Sequence, residues 1–132
     1  MSKTPPLKWV QSPAERDYPS AASFLSLLTN SAQVEALPTA LSHAPTVQQH
    51  AKDILRAARL PLLPAADPKV ARDLRRVAKG TALSPILLVR GDLAAGLPLQ
   101  IADGYHRVCA SYHLSEDTEI PCRIVDLAVI TA

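Results

Sequence analysis

The sequence predicts an α/β (α+β) protein, and three observations carry that reading. An unbroken apolar run, Ser84-Pro85-Ile86-Leu87-Leu88-Val89-Arg90, has the composition of a strand covered on both faces. Near the end of the chain, Ile120, Cys122 and Ile124 alternate with Pro121, Arg123 and Val125, the period of a half-buried strand. Around these lie segments with helical spacing, among them Val70, Leu74 and Val77.

Taken in order, residues 1–19 hold four prolines (Pro5, Pro6, Pro13, Pro19) and one large anchor, Trp9, so an extended arm docked on the rest is expected. From Ser20 to His43 the pattern turns helical. Phe24, Leu25, Leu27 and Leu28 fit one short helix; Val34, Leu37 and Leu41 fit a second, capped by Asn30 or Ser31 and either kinked by Pro38 or begun near it. The chain thus divides into an N-terminal arm and helical extension, residues 1–45, and an α/β domain, residues 46–132.

In the second part, Thr46 to Ile54 is ambiguous between strand and helix, and Leu60-Pro61-Leu62-Leu63-Pro64 reads as an extended connector. Asp67-Pro68 opens a helix, with a side-chain acceptor at the cap and proline at the first helical position, and Gly80 stops it. A strand over Ser84–Arg90, a turn over Gly91–Gly96, a strand over Leu97–Ala102, a helix over Tyr105–Leu114 and the alternating last strand complete the order.

Composition narrows the function class. The chain is 48% hydrophobic and only 4% aromatic, with a mean hydropathy of +0.08, which suits a soluble core of aliphatic side chains. A net charge of +2 is too small to argue for nucleic acid, although the pI of 8.7 is basic. No stretch approaches the roughly 20 apolar residues that span a bilayer, and the N-terminus lacks a signal-peptide pattern. Two cysteines without a C-x-x-C pair give neither a disulfide framework nor a zinc knuckle. A reduced, cytoplasmic protein without a membrane partner is the expectation.

The chemistry concentrates at Asp103-Gly104-Tyr105-His106-Arg107, where a strand passes directly into a helix. Glycine permits a sharp bend and a close approach of backbone to ligand. The first amides of the helix lack intrahelical partners and sit at the positive end of its dipole, which favours an anion. Arg107 offers a planar fork matched to phosphate oxygens, and His106 can donate or exchange a proton near neutral pH. The competing reading is purely structural, with Arg107 paired to Asp103. His106, Cys109 and His113 share a helical face, yet the outer two stand about two turns, near 10 Å, apart, too far to converge on one ion. No metal site is expected from them; Cys109 and Cys122 read as core, His113 as a charge at the helix end.

From about Leu60 to Leu127 the chain resembles the ParB/sulfiredoxin superfamily. The resemblance is carried by Leu60-Pro61, Asp67-Pro68-Lys69-Val70, Ser84–Arg90, Asp103-Gly104-Tyr105-His106-Arg107-Val108-Cys109-Ala110 and Glu119-Ile120-Pro121-Cys122-Arg123-Ile124-Val125. It implies a mixed sheet with flanking helices and a nucleotide phosphate at the Gly104–Arg107 turn: ATP or ADP with Mg2+, CTP being the alternative. Asp103, Gly104, Tyr105, His106 and Arg107 are its implied ligands, joined by Lys69 and, by a looser match, Arg56. Arg72 and Arg76 match by placement alone, and basic residues opposite a buried stripe also suit a solvated face.

Departures from the family separate its activities. Sulfiredoxins carry a catalytic cysteine where this chain has Tyr105, so sulfinic acid reduction is not expected. Partition proteins carry a helix-turn-helix domain after this module, and this sequence ends at Ala132, so DNA is not expected as a partner. A family serine kinase has a similar Asp-Gly-His-His-Arg motif and an acidic base near the start of the preceding helix, which implies Asp67 as base beside His106. Phosphoryl transfer to a small-molecule substrate is then the leading reading. A regulatory protein without turnover and a DNA-partition-associated factor are its rivals, and the N-terminal helices are free to line the substrate pocket or a homodimer contact.

Overall fold

The computed structural model describes residues 7–126; residues 1–6, with Pro5 and Pro6 of the arm, and residues 127–132, with Leu127 and the end of the second segment, lie outside them. Within the described residues the order is α1 (Asp17–Leu25), α2 (Ser31–His43), β1 (Thr46–His50), α3 (Ala51–Ala58), α4 (Pro68–Ala78), β2 (Ile86–Val89), β3 (Gln100–Asp103), α5 (Tyr105–Leu114) and β4 (Glu119–Val125). The four strands form one mixed sheet in the order β1-β4-β2-β3. β4 runs antiparallel to β1 and parallel to β2, and β2 runs antiparallel to β3.

The apolar run around β2 is explained by its place in this sheet. Ile86 and Leu88 join a core with Ile120 and Cys122 of β4, Ile101 of β3, and the apolar residues of α3, α4 and α5. Leu87 and Val89 join a second core with Ala102, Ala21 and Leu25 of α1, and Leu37 and Leu41 of α2. Alternate side chains point to opposite faces, so a strand covered on both must be apolar throughout. The N-terminal helices supply one layer of a three-layer packing. Full burial of a leucine contributes about 1.5–3 kcal/mol, so Leu25, Leu37 and Leu41 fasten that layer firmly.

Several local expectations shift for tertiary reasons. α1 starts at Asp17, three residues before the expected Ser20, and its buried stripe is Asp17, Ala21 and Leu25; Phe24, Leu27 and Leu28 are exposed. α2 is capped by Asn30, whose side chain accepts from Gln33 N at 3.0 Å, and it carries Pro38 in its interior rather than in its first turn. The ambiguous stretch splits: β1 ends at His50 and α3 begins at Ala51. The first amides of α3 are satisfied across the chain, Ala51 N by Thr118 O at 2.9 Å and Lys52 N by Glu116 O at 3.0 Å. The last strand is not half-buried but central, with Pro121 as well as Ile120 and Cys122 inside. Its proline is tolerated because pairing with β2 begins at the next residue, Cys122 opposite Ile86.

Near the arm, Trp9 bridges to Leu83 and packs against the larger core, with Val10 N donating to Leu83 O at 2.8 Å. Cys109 and Cys122 are unlinked and buried, and burial pushes both thiols up, Cys122 to about 12. The helix that carries the motif, α5, spans the residues expected and packs Val108, Cys109 and Ala110 on the sheet.

α4 shows how closely sequence and local structure agree. The Asp67 carboxylate accepts from Lys69 N and Val70 N, both at 3.1 Å, with Pro68 at the first helical position. At its other end Gly80, at φ +76°, lets Gly80 N reach Val77 O and Thr81 N reach Arg76 O, both at 2.9 Å, which closes the helix in a Schellman turn. Replacing the cap by Asp67→Ala is expected to lower stability by about 1 kcal/mol, while Asp67→Asn, itself a good cap, stays near wild type. Urea unfolding of the two variants checks this; equal losses would mean the charge, not the cap, matters.

Candidate functional site

At the C-terminal end of β3 the chain turns through Gly104 directly into α5. Gly104 sits at φ +115°, in the region that L side chains avoid. A Cβ there would lie 2.7 Å from the Ile86 Cβ, so the turn is pressed against β2 as well as bent. No side chain caps the start of α5. Val108 N is the first amide of the helix with an intrahelical partner, Gly104 O at 3.0 Å. The amides of Tyr105, His106 and Arg107 precede it at the positive end of the helix dipole.

Gly104, His106 and Arg107 of this turn line a cleft of about 680 Å3 between α4, α5 and the start of α1. A second hollow of about 420 Å3 adjoins it, sharing Ser20, Lys69, Asp103, Gly104 and His106, and is closed by Phe24, Ala58, Leu60, Leu99 and Ile101. Both volumes fall in or near the range of about 300–1,000 Å3 typical of small-molecule sites. Five cationic side chains line the larger cleft, Arg16, Lys69, Arg72, Arg76 and Arg107, against three carboxylates, Asp17, Asp73 and Asp103. All three carboxylates already have a cationic neighbour, Arg107 for Asp17 and Asp103, Arg76 for Asp73. Arg16, Lys69 and Arg72 remain as a basic rim.

Arg107, implied by the motif as a phosphate ligand, lines the larger cleft and is also held in an internal network. Its Nη2 pairs with Asp103 Oδ2 at 2.5 Å. Its Nη1 donates to Ser84 O and Ser84 Oγ, both at 2.6 Å, to Pro85 O at 3.2 Å, and lies 3.4 Å from Asp17 Oδ2. Ser84 Oγ in turn donates to Asp17 Oδ2 at 3.2 Å. The Arg107 side chain is only 13% exposed. It is the post of an internal network that ties α1, the entry to β2, the end of β3 and α5 together, and both terminal nitrogens take part in it. Asp103 lines both hollows and is at the same time the ion-pair partner of Arg107. Burial pushes its carboxyl above the usual carboxylate range, Arg107 opposing and the neighbouring Asp17 adding to the rise.

The other implied residues divide. Gly104, His106 and Lys69 line both hollows, and Lys69 is exposed. Tyr105 lines only the smaller one, and its hydroxyl donates to Pro61 O at 2.5 Å, which pins the Leu60–Pro64 connector to α5. Asp67, the implied base, does not line the cleft; its Oδ2 serves the α4 cap and stands 4.0 Å from His106 Nε2. Arg56 is exposed in the last turn of α3 and touches neither hollow. Arg72 and Arg76, which match only by placement, do line the larger cleft. His113 is bonded to Leu63 O at 2.7 Å through Nε2 and Cys109 is fully buried, so neither faces His106 across a common site.

Several polar residues of the cleft, among them Arg16, Asp17, Asp73 and Ser84, were given no role by the sequence. Asp17 and Ser84 carry no local signal, since they meet Arg107 from 90 and 23 residues away. Asp73 does carry one: it interrupts the apolar stripe of α4, three residues after Val70 and four before Val77. Searches against protein-family models, curated proteins and solved structures found no match.

Proposed function

We propose that the cleft binds the phosphates of a nucleotide, ATP or ADP before CTP, and that the chain is a nucleotide-binding protein of the ParB/sulfiredoxin type. The observation that carries this reading is the open N-terminus of α5 facing a basic rim of Arg16, Lys69 and Arg72. Backbone amides at a helix start and mobile lysine or arginine heads are the donor set that phosphate oxygens take. The mixed sheet agrees in outline with the architecture the motif resemblance implies. Among the described residues no group of three His, Cys, Asp or Glu side chains gathers to hold a metal ion. Mg2+ would enter with the phosphates, since it is commonly held by one or two carboxylates together with substrate oxygens.

His106 is the residue of the cleft suited to move a proton, and phosphoryl transfer to a small hydroxylated acceptor would run through it. A second reading, binding without turnover, is favoured by one observation: the Asp67 carboxylate is committed to the α4 cap and absent from the cleft wall. Calorimetric titration of ATP, ADP and CTP, with and without Mg2+, tests the binding claim. Lys69→Ala is expected to weaken the preferred nucleotide about tenfold, the lower end for a charge-assisted contact. Affinity should also fall with salt, because the rim is exposed. Failure of wild type to bind any of the three would end the reading. Turnover abolished by His106→Ala but retained by Asp67→Asn would favour the enzyme over the regulator.

A further inference from the structure

Asp73 is a carboxylate in a position that normally holds a valine or leucine. It lies on the inner stripe of α4 with Val70 and Val77, and its side chain is 4% exposed. Among the described residues its only cationic contact is Arg76 Nη1 at 3.6 Å, beyond hydrogen-bond reach, and Arg76 itself is 42% exposed. Among the described residues no hydrogen bond reaches the Asp73 carboxylate, and the little surface it keeps opens on the larger cleft. Burying a carboxylate without hydrogen bonds is unfavourable, and a group so placed at a cavity wall is poised for a ligand donor. The surroundings agree: burial pushes the carboxyl above its usual range against the pull of Arg72 and Arg76 on α4 and of Arg107 and His106 on α5.

We propose that Asp73 accepts a hydrogen bond from a hydroxyl of the same ligand whose phosphates rest on the α5 amides, the ribose of a nucleotide. This rests on the phosphate reading above and specifies the sugar. A cleft with a basic rim and one inward, unbonded carboxylate separates the two halves of such a molecule: the rim takes the charge, the inner acid takes a neutral donor. A carboxylate paired with a ribose hydroxyl is also chemically selective, because an analogue lacking the hydroxyl leaves the buried acid unsatisfied.

The test uses ADP, its 2′,3′-dideoxy analogue and inorganic pyrophosphate as probes, each titrated by calorimetry into wild type, Asp73→Asn and Asp73→Ala. Wild type is expected to prefer ADP over the dideoxy compound by about tenfold, one charge-assisted bond. Asp73→Ala should erase that preference, and Asp73→Asn, which keeps an uncharged acceptor, should reduce it. Pyrophosphate affinity should stay the same or rise in both variants, since a negative charge leaves the cleft; that binding also reports a folded site. A wild type indifferent to the hydroxyls, or a preference that survives in Asp73→Ala, overturns the assignment while leaving the phosphate reading intact. Parallel losses for ADP and pyrophosphate make Asp73 a support of the fold and overturn it as well. A wild type that binds neither overturns both readings.

Discussion

Arg107→Ala is expected to destabilise the protein by about 3–5 kcal/mol, the cost of breaking a buried ion pair and leaving its partners uncompensated. Asp17 and Asp103, 10% and 17% exposed, would lose a cation that reaches both, and Ser84 would lose a donor to its carbonyl and its hydroxyl. Thermal unfolding should drop by on the order of 10 °C or more. The loss should depend on pH, and its sign follows from Asp103. Its folded carboxyl is raised above the unfolded value, chiefly by burial, so the folded chain holds this proton more tightly than the unfolded one. Stability contributed by this group is therefore present at low pH and lost as pH rises through the folded value. Arg107 limits that rise. Without it the carboxyl climbs further, and the variant should fall further below wild type at neutral pH than near pH 4. Unfolding in urea at the two pH values reads this directly. A loss below about 1 kcal/mol, the scale of a surface pair, would contradict the buried network. So would a loss independent of pH.

Gly104→Ala should cost about 2–6 kcal/mol, by two routes that can be separated. The backbone at φ +115° is strained for any residue with a Cβ, worth about 1–3 kcal/mol. The added methyl also meets Ile86, with its Cβ 2.7 Å away, and overpacking of this kind costs about 1–3 kcal/mol. An Ile86→Ala background removes the closest atom, the Ile86 Cγ2, but keeps its Cβ and the backbone part, so Gly104→Ala should be milder there than in wild type without becoming neutral. Identical costs in both backgrounds would show that Ile86 is not what holds the turn. Because the amides of Tyr105, His106 and Arg107 are aimed by this turn, a folded Gly104→Ala protein should also bind nucleotide more weakly.

Both variants touch the motif that stands out in the sequence, yet they act on different parts of the structure. Glycine at the end of a strand and the start of a helix is a local statement, legible from its neighbours. The role of Arg107 is not local. Its residue type and spacing are equally those of a phosphate ligand and of a structural post, and only tertiary structure brings Asp17 and Ser84 to it. Lys69 and His106 stay in the cleft as the motif implies, whereas Asp67 and Arg56 do not line it.

What the sequence alone determined is what short hydrogen bonds and single-element periodicity determine. The Asp67 and Asn30 caps, the Gly80 stop, the span of α5 and the buried character of β2 all arise within a few residues of themselves. Tertiary structure decided the rest. β1 and α3 part at His50 because β4 offers a pairing edge and Thr118 and Glu116 offer carbonyls. The second face of β2 called for a cover, but only packing shows that Leu25, Leu37 and Leu41 provide it, since an amphipathic helix states that it must bury a face and not against what. Asp73 lies on the buried stripe of α4 by its spacing, and only the cleft beside that stripe distinguishes a misplaced charge from a hydrogen-bond acceptor.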